Sequence, residues 1–90
     1  MRKYVIERDV PGIGQNDRTG LRDVARQSNE ALAKLAPRVV WQQTYVTGDK
    51  TFCIYMADDE AVIREHSRLS GFPADVITEV NAVIDPATAR

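Results

Sequence analysis

The chain has one cysteine, one histidine and one tryptophan among its 90 residues, and each scarcity excludes something. A single thiol, Cys53, cannot close a disulfide within the chain, so nothing in the sequence asks for an oxidising compartment. A single imidazole, His66, leaves no histidine pair one helical turn apart, the spacing that a helical metalloprotease site needs. No charge of one sign prevails: 12 Lys and Arg face 13 Asp and Glu. Such a balance provides no electrostatic footprint for a phosphate backbone or an anionic membrane, so neither nucleic acid nor a membrane is an expected partner. Long apolar runs are missing as well. Tyr4-Val5-Ile6 is cut off by Glu7, too short for a signal-peptide core or a membrane span, and a cytoplasmic location is the expectation.

What is present is a regular succession of short elements. Lys3 to Val10 alternates β-favouring and charged residues until Pro11-Gly12, which predicts a first strand. Asn16, Asp17 and Thr19 offer capping oxygens, and Leu21, Val24, Ala25, Ser28, Leu32 and Leu35 recur at helical spacing, predicting a helix from about Thr19 to Leu35. Pro37 disfavours its continuation. Val39–Val46 and Thr51–Ala57 read as two strands joined by the hairpin turn Thr47-Gly48-Asp49-Lys50. Asp58-Asp59-Glu60 places negative charge where a helix N-terminus favours it, and that helix ends near Ser70 before Gly71. A last strand is predicted from Val76 to Ile84.

The order βαββαβ favours an α+β ferredoxin-like sandwich: a single domain over residues 1–90, with a four-stranded antiparallel sheet and two helices on one face. The other face lacks a second layer, a physical reason to expect a homodimer. With the hairpin centred on Gly48 and Asp49, Trp41, Gln43, Tyr45, Phe52, Ile54 and Met56 share one face. Being the more apolar set in the third strand, they are expected beneath the helices, leaving Gln42, Thr44, Cys53, Tyr55 and Glu7 for the open face. A slip of one residue would exchange the sets.

Chemistry-bearing residues are few. His66 is the one side chain that would titrate near neutral pH or offer an imidazole to a metal, although a lone histidine beside Val62, Ile63 and Leu69 also fits a structural role. Cys53 could act as a soft ligand or simply as a small hydrophobe. On the expected faces Cys53 and His66 lie in opposite layers and cannot hold one ion within a subunit, so a metal site would use His66 with Asp59 or Glu65, at the surface or between subunits. Gly12-Ile13-Gly14 lacks the third glycine of a dinucleotide fingerprint, since Asp17 stands in its place. Ser28, Ser67 and Ser70 have no visible histidine and acid partners, so no catalytic constellation emerges.

Lys3-Tyr4-Val5-Ile6-Glu7-Arg8 with Pro11-Gly12, Trp41 with Tyr45-Val46-Thr47 and Asp49-Lys50, Cys53-Ile54-Tyr55, Arg64-Glu65-His66, Gly71-Phe72-Pro73 and Ile84-Asp85-Pro86 together resemble the landmarks of a family of small bacterial domains. That family includes a nickel-binding, nickel-responsive protein. The resemblance implies a dimeric ferredoxin-like fold and a role in binding or sequestering nickel or another divalent transition metal, with His66, Glu65, Asp59 and Cys53 as the ligands this chain can offer. Some members carry a histidine near the position of Gln43. Two alternatives stand beside this one. In the first, the domain resembles dimeric α/β-barrel monooxygenases in architecture and encloses a small-molecule pocket lined by Trp41, Tyr45 and Tyr55, with His66 beside it. In the second, it is a structural interaction domain whose open sheet face only dimerises.

Overall fold

The structure is a computed structural model that describes residues 1–90. Four strands form one antiparallel sheet in the order β2-β3-β1-β4: β1 Arg2–Asp9, β2 Val39–Val46, β3 Lys50–Ala57 and β4 Val76–Val80. Helix α1 spans Arg18–Ala33 and α2 spans Glu60–Ser70, and both pack on the same side of the sheet. This is the ferredoxin-like α+β arrangement. No helix is long and apolar enough to cross a membrane.

Local chemistry sets the helix ends. Asp17 caps α1 by accepting from the Gly20 amide at 2.9 Å, and Asp59 caps α2 by accepting from Val62 N at 3.0 Å. Gly71 closes α2 with φ of 80°, a left-handed conformation that costs glycine little. Helix α1 stops two residues short of the expected Leu35. The chain tightens there, with Leu35 N donating to the Leu32 carbonyl at 3.0 Å, and this drops Leu35 into the core ahead of the cis Ala36-Pro37 bond.

Strand β4 is also shorter than expected, ending at Val80 rather than Ile84. Its partner explains the length. Lys3 lies opposite Val80, and β1 begins only one residue earlier, at Arg2, so residues beyond Val80 have almost no strand left to pair with. Val83 and Ile84 are consequently exposed.

The main correction concerns the two sheet faces. Tyr4, Ile6 and Arg8 of β1 and Thr51, Cys53, Tyr55 and Ala57 of β3 are buried, and the buried apolar members of this set join Val62 and Ile63 of α2 in the core. Cys53 and Tyr55 therefore lie beneath the helices, while Phe52, Ile54 and Met56 occupy the open face. This reverses the expected assignment for β3. Glu7 does lie on the open face, opposite Phe52. In β2 a bulge at Gln42 breaks the alternation: Trp41 lies opposite Tyr55 and Thr44 opposite Cys53, so both face the helices in spite of their odd spacing. Trp41 Nε1 donates to Thr44 Oγ1 at 2.9 Å across the bulge.

The segment between β1 and α1 docks onto the β2–β3 hairpin. Val10 N donates to the Asp49 carbonyl at 2.9 Å, Gly12 N to Asp49 Oδ1 at 2.9 Å and Gly14 N to the Gly48 carbonyl at 3.0 Å. A side chain at Gly14 would collide with the backbone of Thr47 and Gly48. Gly14→Ala is expected to lower stability by about 1–3 kcal/mol in urea unfolding. An unchanged midpoint would show that this contact contributes nothing.

Candidate functional site

Between the helices and the sheet lies a cavity of about 200 Å³. Its walls are mainly apolar: Val10, Ile13, Leu21, Val24, Ala25, Trp41, Val46 and Phe72 contribute, with Cys53 and Tyr55 rising from β3. Val46, one of these wall residues, is exposed. The walls follow from the elements already described. The inward face of α1 supplies Leu21, Val24, Ala25 and Ser28, and the docked Ile13 closes the hairpin end.

Polar groups gather along one part of this cavity. Arg8 is 3% exposed, yet it extends from the helix-facing side of β1 and forms no ion pair with any carboxylate. Its Nη1 donates to Ser67 Oγ at 3.1 Å and to the Pro73 carbonyl, while Nη2 has no partner. His66 is 1% exposed; its Nε2 lies 3.2 Å from Ser28 Oγ, and its Nδ1 is likewise unpartnered. The imidazole and Tyr55 rings are tilted at 52° with centroids 5.4 Å apart. Ser28 and Tyr55 both line the cavity, so the two orphaned polar atoms belong to one continuous cluster.

Burial is the main cause of the perturbed acid–base behaviour here. It lowers His66 to about 4, the nearby Arg8 cation pushing in the same direction and Ser28 offsetting part of the effect. Tyr55 is raised by burial and then by Cys53, with Arg8 and Ser28 opposing. At neutral pH His66 is an uncharged imidazole and Arg8 is the only cation in the cluster.

The residues singled out from sequence fall in four places. Trp41, Tyr55 and Cys53 line the cavity, and His66 sits behind Tyr55 and Ser28. Tyr45 is on the opposite face, 58% exposed, its hydroxyl accepting from Gln43 Nε2 at 2.6 Å. Asp59 caps α2 and Glu65 is ion-paired with Arg68, which holds the Glu65 carboxyl below its ordinary pKa. Asp59 and Glu65 share a shallow groove with Lys34 and Arg38. Cys53 and His66, expected on opposite sides of the sheet, both face the interior between sheet and helices.

Sequence reasoning missed Arg8 and the role of Ser28. A signal for Arg8 was present: it shares the alternation of Tyr4 and Ile6, so an arginine stands on the apolar phase of a buried strand.

A family model described as "Nickel responsive protein SCO4226-like" matches residues 4–80. This chain belongs to that family. Among solved structures it is similar to SCO4226 from Streptomyces coelicolor A3(2), with a TM-score of 0.71 and 19% identity over 91% of this chain and 99% of that one. At that identity the likeness speaks for the fold. None of the curated proteins is similar enough to match.

The donors of this chain do not fit a divalent transition metal within one subunit. No three of its His, Cys, Asp and Glu side chains gather into a cluster that could hold a metal ion. His66 faces inward beside the Arg8 cation, and a dication approaching it would meet a like charge in a medium of low dielectric.

The depressed His66 pKa also predicts how stability varies with acidity. On acidification the unfolded chain takes up the imidazole proton near 6.5, whereas the folded chain resists until about 4. The stabilisation is therefore complete above about 6.5 and is lost progressively toward 4, amounting to about 2 kcal/mol by pH 4.5. In urea unfolding at pH 7.5 and 4.5, His66→Gln is expected to lose less stability than wild type by about that amount. Parallel losses in the two proteins would contradict it.

Proposed function

We propose that this protein is a small-molecule-binding domain that works as a homodimer, its ligand seated between the helical layer and the sheet. The observation that carries the reading is the cavity itself. A close-packed interior has few voids larger than a water molecule, whereas this one is open to the surface, apolar along most of its wall and supplied with a few polar groups at one place. Ser28 and His66 form a hydroxyl–imidazole pair at its edge, but no carboxylate orients the imidazole, whose Nδ1 is unpartnered, and the reading assigns binding rather than a reaction.

The open sheet face supports self-association. Val5, Val40, Phe52, Ile54, Met56, Val76 and Val80 share it without a covering layer, and Val40 and Val76 are among the exposed apolar residues of the chain. Lys3 and Glu7 place both charge signs on the same face, and Lys50 Nζ lies 2.7 Å from Glu7 Oε1. A face of mixed sign can meet its own copy without net repulsion.

Nickel binding or sequestration is the second reading, favoured by the family description. In this chain it would have to draw on Asp59 and Glu65 at the shared groove, completed by donors from another copy, since His66 and Cys53 face the interior.

Two measurements test these readings. Amide spectra of the isotopically labelled protein, titrated with benzyl alcohol as a neutral apolar probe and with a carboxylate of the same size, are expected to shift around Trp41, Cys53 and Tyr55; silence there toward both would remove the pocket reading. In the same spectra, paramagnetic Ni²⁺ that broadens residues around Asp59 and Glu65 at stoichiometric metal would favour nickel instead. Light scattering is expected to give twice the chain mass for wild type and the single-chain mass for Ile54→Asp. A wild type that stays monomeric at high micromolar concentration would end the dimer proposal.

A further inference from the structure

Arg8 is the least explained group in the molecule. A guanidinium is always charged, and burying one without a counter-charge is costly, so buried arginines are normally found with a carboxylate. Here the side chain is 3% exposed, its hydrogen bonds go to a serine hydroxyl and a peptide carbonyl, the Tyr55 hydroxyl is a further polar neighbour, and Nη2 has no hydrogen-bond partner. The same side chain lines the cavity, in company with the hydroxyl-bearing Ser28, Thr44, Thr51 and Tyr55.

We propose that the cavity is a site for an organic monocarboxylate with an apolar body, the carboxylate held by Arg8 and the body by the apolar wall. This rests on the pocket reading above and assigns its ligand class. The anion supplies the missing counter-charge; Nη2 is itself closed to solvent, so the guanidinium turns toward the cavity to donate to it, and a charge-assisted bond of this kind is stronger in a water-poor site than between neutral partners. Ser28 and Tyr55 can donate to the second carboxylate oxygen. An inorganic anion would satisfy Arg8 but leave Leu21, Val24, Ala25, Trp41 and Phe72 without an occupant. A neutral apolar molecule would fill that wall but leave Arg8 unpaired. Size sets a further limit. An apolar cavity of about 150 Å³ admits benzene, so this slightly larger one suits roughly eight to ten heavy atoms, the size of benzoate or a medium-chain fatty acid.

The test compares benzoate, octanoate, benzyl alcohol and inorganic phosphate by calorimetry and amide-shift titration on the wild-type protein and on Arg8→Met. Benzoate and octanoate are expected to bind wild type about ten- to a hundredfold more tightly than benzyl alcohol, with shifts at Ser28, Cys53 and Tyr55. Phosphate is expected to produce no shifts there. Arg8→Met should remove the preference for the acids while retaining benzyl alcohol, and without ligand it should melt at a higher temperature than wild type, because an unpaired buried charge has been replaced by an apolar chain of similar length. Should Arg8→Met fail to fold, the acid-to-alcohol comparison on wild type decides by itself. Equal affinity for acid and alcohol, or an acid preference that survives in Arg8→Met, would overturn the anion assignment and leave the pocket standing. Binding of neither acid nor alcohol would remove the pocket reading itself. Phosphate competing with benzoate would overturn the organic-acid assignment in favour of a simple anion site.

Discussion

Eight consecutive residues of β1 lie opposite eight of β3, from Arg2 against Ala57 to Asp9 against Lys50, and this central ladder sets the address of every inward side chain. It places Tyr4 beside Tyr55, Ile6 beside Cys53 and Arg8 beside Thr51 on the helix side. A slip of β3 by one residue would send Thr51, Cys53 and Tyr55 to the open face and bring Phe52, Ile54 and Met56 inward, leaving Tyr4, Ile6 and Arg8 in place. Ala57, Cys53 and Thr51 are small enough to let the helices approach, and the Tyr55 ring then spans the layer to reach His66 of α2. The polar cluster is a by-product of this register. It exists because an arginine follows two apolar residues in the same phase of β1.

The cluster and the core are built differently. The core around Ile6, Ala57, Val62 and Ile63 is apolar and buried, and its contribution scales with the apolar area removed from water. The neighbouring cavity leaves apolar surface uncovered and keeps two buried polar atoms, Arg8 Nη2 and His66 Nδ1, without partners. Both features work against stability, as is common where a binding site is held ready for its ligand. The docked turn from Val10 to Gly14 and the Phe72-Pro73 segment after α2 frame the site from its two ends, so its shape depends on loops anchored by hydrogen bonds to the hairpin and to Arg8.

Membership of the nickel-responsive family and the interior of this chain point to different parts of the surface. The family description concerns a metal, and the donors best suited to one, His66 and Cys53, are turned inward near a fixed cation. The carboxylates of Asp59 and Glu65 are already engaged, one capping a helix and the other paired with Arg68. The two proposed roles, nickel and an organic anion, do not exclude each other on one fold, because the groove and the cavity share no residue.

Element order, the capping aspartates, the glycine stop of α2 and the presence of an uncovered sheet face were legible in the sequence, because helical spacing, turn chemistry and β-propensity act over a few residues. Trp41 was read on the side it occupies, beneath the helices, whereas Tyr55 and Tyr45 lie on the sides opposite to those expected. Which phase of β3 faces inward was not legible. Alternation defines two sets of side chains without saying which is inside, and the more apolar set, Phe52, Ile54 and Met56, proved to be the one on the uncovered face. The bulge at Gln42 brought Trp41 and Thr44 onto the same side through an extra residue that leaves no local signature. Only the tertiary structure could decide that Arg8 is buried without a counter-ion, since pairing depends on what the helices and the Phe72-Pro73 loop bring to it from more than fifty residues away.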